Sequence, residues 1–147
     1  MERTITSILD EKGAAVHSIE PEATVLEAVQ AMNRVGVGAL LVKNGDVVVG
    51  IFTERDVLRR VVDGGLDPNL TKVAKVMTRE LVTVRPTTTV TEAMAVMTDR
   101  RCRHLPVMED DRLLGVVSIG DLTRATAWSQ AVHIRDLVNY ITGKYPA

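Results

Sequence analysis

The chain has 147 residues, 46% of them apolar and 25% charged, enough to bury one proper core or two very small ones. Eighteen basic residues against nineteen acidic ones leave a formal net charge of -1, so no global field steers the chain toward nucleic acid or anionic lipid. A single cysteine, Cys102, excludes an internal disulfide framework and fits a reducing compartment.

The opening stretch, MERTITSILDEKG, has no apolar run with a cleavage site. No segment approaches the roughly eighteen consecutive apolar residues of a membrane span. The expected location is therefore the cytoplasm. From Val16 the sequence repeats itself: Val16 to Arg60 aligns onto Leu81 to Ala125 without a gap, each position matching the one 65 further on. About a dozen identities in the aligned stretch, with most other apolar positions conservatively exchanged, mark a duplicated unit.

In each copy the elements follow from local physics. Thr24 stands three residues before Glu27, and Thr89 three before Glu92, the capping-box pattern of a helix start. Apolar residues then recur at helical spacing, Val25, Ala28, Val29 and Met32 in one copy and Val90, Ala93, Met94 and Met97 in the other, so these stripes face a core. Short apolar runs follow at 39–42 and 105–108, then turns at 43–46 and 109–112, then second runs at 47–52 and 113–118. Asn44-Gly45 between two apolar runs predicts a hairpin. Helices are expected over 57–62 and 122–127, so each unit reads strand, helix, strand, strand, helix.

A unit of about sixty residues buries too little surface to offset its chain entropy alone. Two units with three apolar strands each solve this by packing sheet to sheet, which predicts one interlocked α/β (α+β) body with pseudo-twofold symmetry. The expected boundaries are 1–70 for the first unit with its lead-in, 71–127 for the second, and 128–147 for a C-terminal helical tail. Turn formers in DGGLDPN, 63–69, mark the crossing between halves. In the tail Ala131, Ile134, Val138 and Ile141 share one helical face, Gly143 is placed to cap it, and Trp128, Leu137 and Tyr140 extend the apolar surface.

The junction after each hairpin carries the candidate chemistry: GIFTERD at 50–56 and GVVSIGD at 115–121. Thr53-x-x-Asp56 and Ser118-x-x-Asp121 are capping boxes in their own right. They also suit a ligand. A strand ending in glycine delivers the chain to a helix start, where free N–H groups and the dipole favour an anion and a hydroxyl can bond a phosphate or sugar oxygen. The short carboxylate can accept from two neighbouring hydroxyls at once, as from the cis diol of a ribose. Phosphate plus diol means nucleotide.

Other constellations are weaker. Arg100, Arg101, Arg103 and His104 cluster around Cys102, where cations suit a helix C-terminus. Aromatic residues make up only 3%, which offers nucleic acid almost no stacking platform. Cys102 and His104 share a strand face but lack an orienting third group, and no His or Cys pair has zinc-type spacing, so neither a catalytic set nor a metal site is expected.

The whole chain resembles a tandem pair of CBS domains, the Bateman module, through GIFTERD, GVVSIGD and RHLPV at 103–107. With GALLV, FTERD, SIGD and NYITG added, it is most similar to stand-alone CBS-pair proteins of bacteria and plant organelles. The resemblance implies a non-catalytic regulatory module without an obligatory cofactor. It would bind AMP, ADP, ATP, NAD or S-adenosylmethionine in clefts between the halves, pair as a homodimer and signal to a client protein. In the family the aspartate holds ribose and the Ser or Thr lies near phosphate or ribose, which carries over to Asp56, Thr53, Asp121 and Ser118. A basic residue before the Leu-Pro-Val strand reaches phosphate in several members; Arg103 and His104 match it, while Gly38 and Ala39 take those places in the first half, which would leave room for an adenine ring or let backbone approach the ligand closely. The alternatives are a protein-interaction or redox adaptor with vestigial clefts and, behind it, nucleic-acid binding.

Overall fold

A computed structural model describes residues 2–13, 15–129, 138, 141 and 142, and divides the chain into two compact units. One comprises Ala15–Leu81; the other joins Met1–Ala14 to Val82–Ala147. The elements in chain order are α1 (Ile5–Lys12), β1 (Ser18–Ile19), α2 (Val25–Val35), β2 (Ala39–Asn44), β3 (Val47–Thr53), the short α3 (Glu54–Asp56) running into a π-helix (Val57–Val62), α4 (Val73–Val76), α5 (Val90–Arg100), β4 (His104–Glu109), β5 (Arg112–Ser118) and α6 (Ile119–Ser129). Helices and two small sheets make the mixed α/β class read from the sequence.

In the unit 15–81, β1 runs parallel to β2 and β2 antiparallel to β3, in the order β1-β2-β3. Register places Ala39 opposite Thr53 and Val42 opposite Gly50, with an irregularity between Val42 and Lys43. Gly45 takes φ 64°, the left-handed conformation that the predicted Asn-Gly hairpin turn demands. Helix α2 starts as expected: the Thr24 hydroxyl accepts from the Glu27 amide at 3.1 Å, and Val25, Ala28 and Met32 are buried with Leu40, Val42 and Phe52. The other unit repeats this around α5, β4 and β5, where Thr89 accepts from Glu92 N at 3.1 Å and Val90, Ala93, Met97, Leu105, Val107 and Val117 form the core.

The second repeat has two paired strands and, at the position of the expected third, a parallel bridge between Val84 and Val107. The span 57–62 is helical but wound as a π-helix, with the Asp63 amide donating to Leu58 O at 3.1 Å.

The unit boundaries differ from those read in the sequence, because the segment preceding each repeat packs on the opposite repeat. Helix α1 buries Ile5 and Ile8 in the core of the second repeat, while Val73, Val76 and Met77 enter the core of the first. Free amides at helix starts explain the exchange. Val90 N of α5 donates to Arg3 O at 3.0 Å, and Val25 N of α2 donates to Thr71 O at 2.8 Å. The backbone bridges Thr4–Thr89 and Thr24–Lys72 tie the segments down at matching places.

Of the expected tail, positions 131, 134, 137, 140 and 143 and the Trp128 side chain lie outside the described residues. Val138 and Ile141 are helical and exposed.

Candidate functional site

Each repeated motif closes the same reciprocal bonds. Thr53 N donates to Asp56 Oδ2 at 3.0 Å while Asp56 N donates to Thr53 Oγ1 at 3.3 Å; Ser118 N donates to Asp121 Oδ2 at 2.8 Å while Asp121 N donates to Ser118 Oγ at 3.2 Å. The chain bends from strand to helix at these points because the hydroxyl and carboxylate replace the backbone partners that neither element supplies. Both aspartates are buried, at 5% and 8% exposure.

The remaining predicted residues gather beside them, two per unit. Gly38 O accepts from Glu54 N at 3.0 Å and Ala39 faces Thr53 across the ladder; Arg103 O accepts from Ile119 N at 2.9 Å and His104 faces Ser118. Arg103 is exposed, and His104 is half-buried. At Gly38 a β-carbon would come within 3.2 Å of the carboxyl end of the exposed Glu54 side chain, which can swing aside, so nothing rigid fills the place where the second repeat carries Arg103.

Beyond the caps the two carboxylates differ. Asp56 Oδ1 accepts from the Thr78 hydroxyl at 3.0 Å, with Arg60 Nε 3.7 Å away, and Arg60 donates to the Met77 carbonyl at 2.8 Å. Asp121 instead meets two cations: Lys12 Nζ donates to Oδ2 at 2.8 Å and Arg124 to Oδ1 at 2.7 Å. Burial alone would raise the Asp121 pKa, but the Lys12 ammonium and the Ser118 amide outweigh it and hold the carboxyl below its ordinary value. Arg3, Ile8, Glu11, Lys12, Asp121 and Arg124 border an open cavity of about 390 Å³ in this unit.

A CBS domain profile matches residues 14–63 and 73–127, the two copies of the motif with their flanking elements. The chain belongs to the CBS domain family. It is 40% identical over 151 residues to the mitochondrial CBS domain-containing protein CBSX3 of Arabidopsis thaliana, covering 97% of this chain and 73% of that one. It is 33% identical over 118 residues to the CBS domain-containing protein YhcV of Bacillus subtilis, covering 80% and 84%. A structure of a CBS-domain protein assigned to signal transduction, from Burkholderia ambifaria, superposes with a TM-score of 0.84 at 37% identity over 89% of this chain and 98% of that one. The chain is thus a CBS pair of the regulatory, signal-transduction type. No helix among the described residues is long and apolar enough to cross a membrane.

Sequence reasoning missed Thr78, Arg60, Lys12 and Arg124. Arg60 and Arg124 were legible in principle, since each stands one helical turn after its aspartate. Helix α1 also left a trace, with Thr4 before it, Ile5, Ile8 and Leu9 at helical spacing and Gly13 after it.

The structure also explains the glycine of each CBS motif. Ile51 and Thr78 exchange backbone bonds of 2.9 and 2.8 Å, and a β-carbon on neighbouring Gly50 would stand 2.7 Å from Thr78 O. On Gly115 it would meet only the end of the Leu9 side chain, at 2.8 Å. Gly50→Ala is therefore expected to cost about 1–3 kcal/mol in urea denaturation, and Gly115→Ala clearly less because Leu9 can rotate. Equal losses would show that the crossing backbone is not what excludes a side chain.

Proposed function

We propose that this CBS pair senses an adenosine-containing ligand, of the class AMP, ADP, ATP, NAD or S-adenosylmethionine, and passes its occupancy to a client protein without itself catalysing a reaction. The observation that carries the reading is the duplicated pairing of a buried aspartate with a hydroxyl residue at a strand-to-helix junction. Asp56 and Asp121 would take the ribose diol, Thr53 and Ser118 the neighbouring ribose or phosphate oxygens, and Arg103 with His104 the phosphate. Gly38 and Ala39 would leave the first-repeat site to the base. Exposed Leu58 and Val62 on the π-helix, 64% and 66% accessible, fit pairing of two copies through an apolar face.

A second reading, an adaptor whose nucleotide sites are vestigial, draws on the fact that both motifs are complete as helix caps. A thermal-shift panel of AMP, ATP, NAD, NADH and S-adenosylmethionine separates the two. A ligand at a hundredfold its dissociation constant should add about 2.7 kcal/mol of stability. A transition that none of them moves at millimolar concentration would favour the adaptor.

A further inference from the structure

We infer that Lys12 is a latch: with no ligand it holds helix α1 on Asp121, and a nucleoside that uses Asp121 must displace it, so that α1 reports occupancy of the second-repeat site. This rests on the nucleotide reading above and names how that site would be regulated.

An ionised carboxylate offers about four lone-pair positions, two on each oxygen. On Asp121, Oδ2 is filled by the Ser118 amide and Lys12 Nζ, each at 2.8 Å, while among the described residues Oδ1 holds the Arg124 guanidinium at 2.7 Å. A cis diol that binds the carboxylate bidentately places one hydroxyl on each oxygen. Oδ1 has room for one; Oδ2 has none. The Ser118 amide is fixed by the helix start, so the group that must leave is Lys12.

Lys12 is the last residue of α1 and also donates to the Val116 carbonyl at 2.8 Å, which ties the C-terminal end of the helix to the strand bearing Ser118. Its side chain is 35% exposed and borders the open cavity of about 390 Å³, which gives the ammonium somewhere to go without unfolding the core. Among the described residues no cation from another segment reaches Asp56. Its Oδ2 holds the Thr53 amide and the Thr53 hydroxyl, and the hydroxyl can rotate away without breaking an ion pair. Thr78 reaches Asp56 from a separate segment through a neutral hydroxyl, so among the described residues only the second-repeat aspartate is held to a separate segment by an ion pair. A ligand shifts such an equilibrium by its differential affinity for the latched and unlatched forms.

The test is isothermal titration of adenosine and of AMP into the full chain carrying Asp56→Asn, with and without Lys12→Met, together with hydrogen exchange of residues 5–12. Methionine keeps the aliphatic stem and removes the charge. Adenosine, which has no phosphate for Lys12 to attract, should bind the Lys12→Met protein at least about fivefold more tightly. AMP should gain less. Adenosine should also speed exchange in α1 severalfold when Lys12 is present. Unchanged or weaker adenosine binding in Lys12→Met overturns the latch, as does α1 exchange that stays constant or slows on binding. If Lys12→Met lowers the melting temperature too far for titration, the exchange result on the Lys12 protein decides. Binding that Asp121→Asn abolishes but Lys12→Met leaves alone defeats the latch and keeps the nucleotide site; no binding of either compound to any of these proteins, or to the unmutated chain, defeats both.

Discussion

Phe52→Ala is expected to cost about 3–5 kcal/mol in urea denaturation followed by circular dichroism. Phe52 is the chain's only phenylalanine and is fully buried at the heart of the first-repeat core, one residue before the hydroxyl of the CBS motif. Removing its ring leaves a cavity between α2 and the β2–β3 hairpin that Val25, Met32 and Leu40 cannot refill. Its counterpart in the second repeat is Val117, also fully buried, where alanine should cost only about 1.5–3 kcal/mol. Hydrogen exchange should localise the first loss to residues 15–81. A cost below about 1 kcal/mol would mean the core re-closes and the ring does not organise it.

Much of the fold is legible because it is local. Thr24 and Thr89 each accept from the amide three residues on, and α2 and α5 begin at Val25 and Val90, where those caps put them. The apolar stripe of each helix is buried as its spacing requires. The left-handed closing residue is glycine in one copy, Gly36 at φ 81°, and Arg101 at φ 52° in the other, so the same helix end is plain in the first repeat and hidden in the second. Which core a segment joins is a different kind of fact. Ile5, Ile8 and Leu9 give α1 an apolar stripe, but nothing in their spacing says that the stripe is buried against the second repeat and not the adjacent first. Equally, six residues from Val57 to Val62 span too few turns for an apolar pattern to separate a π-helix from an α-helix.

The site divides in the same way. The aspartates and hydroxyls were legible because a capping box is an i, i+3 relation. Thr78 and Lys12 were not, because each reaches its aspartate from a segment 22 or 109 residues away. Those two residues make the sites unlike each other more than the contrast of Gly38 and Ala39 with Arg103 and His104, which had been the visible asymmetry in the sequence.

The different surroundings of the two aspartates predict different responses to the same substitution. Asp56→Asn is close to isosteric in function as a cap: the amide oxygen can take the Thr53 N–H, and the amide nitrogen can donate to the Thr78 hydroxyl. Its melting temperature should stay near that of the unmutated chain. In Asp121→Asn the amide must face Lys12 or Arg124, neither of which accepts a hydrogen bond. After discounting for the exposure of both cations, the loss should be about 1–2 kcal/mol. The acid limb follows with a defined sign. Because the folded Asp121 carboxyl titrates below the ordinary 3.8, its contribution is fully present above that pH and disappears as pH falls through the lowered folded value, so Asp121→Asn should flatten this part of the stability profile. Ligand binding adds a second readout. If the aspartates hold a ribose diol, each Asn variant loses charge-assisted bonds of about 1.5–3 kcal/mol, and AMP or NAD affinity at that site should fall at least about tenfold. Arg103→Ala should weaken AMP far more than adenosine, since its side chain is exposed and its role would be to meet phosphate. Titrations in which both Asp variants bind AMP and NAD as the unmutated chain does would leave the carboxylates as helix caps and remove the nucleotide from both repeats.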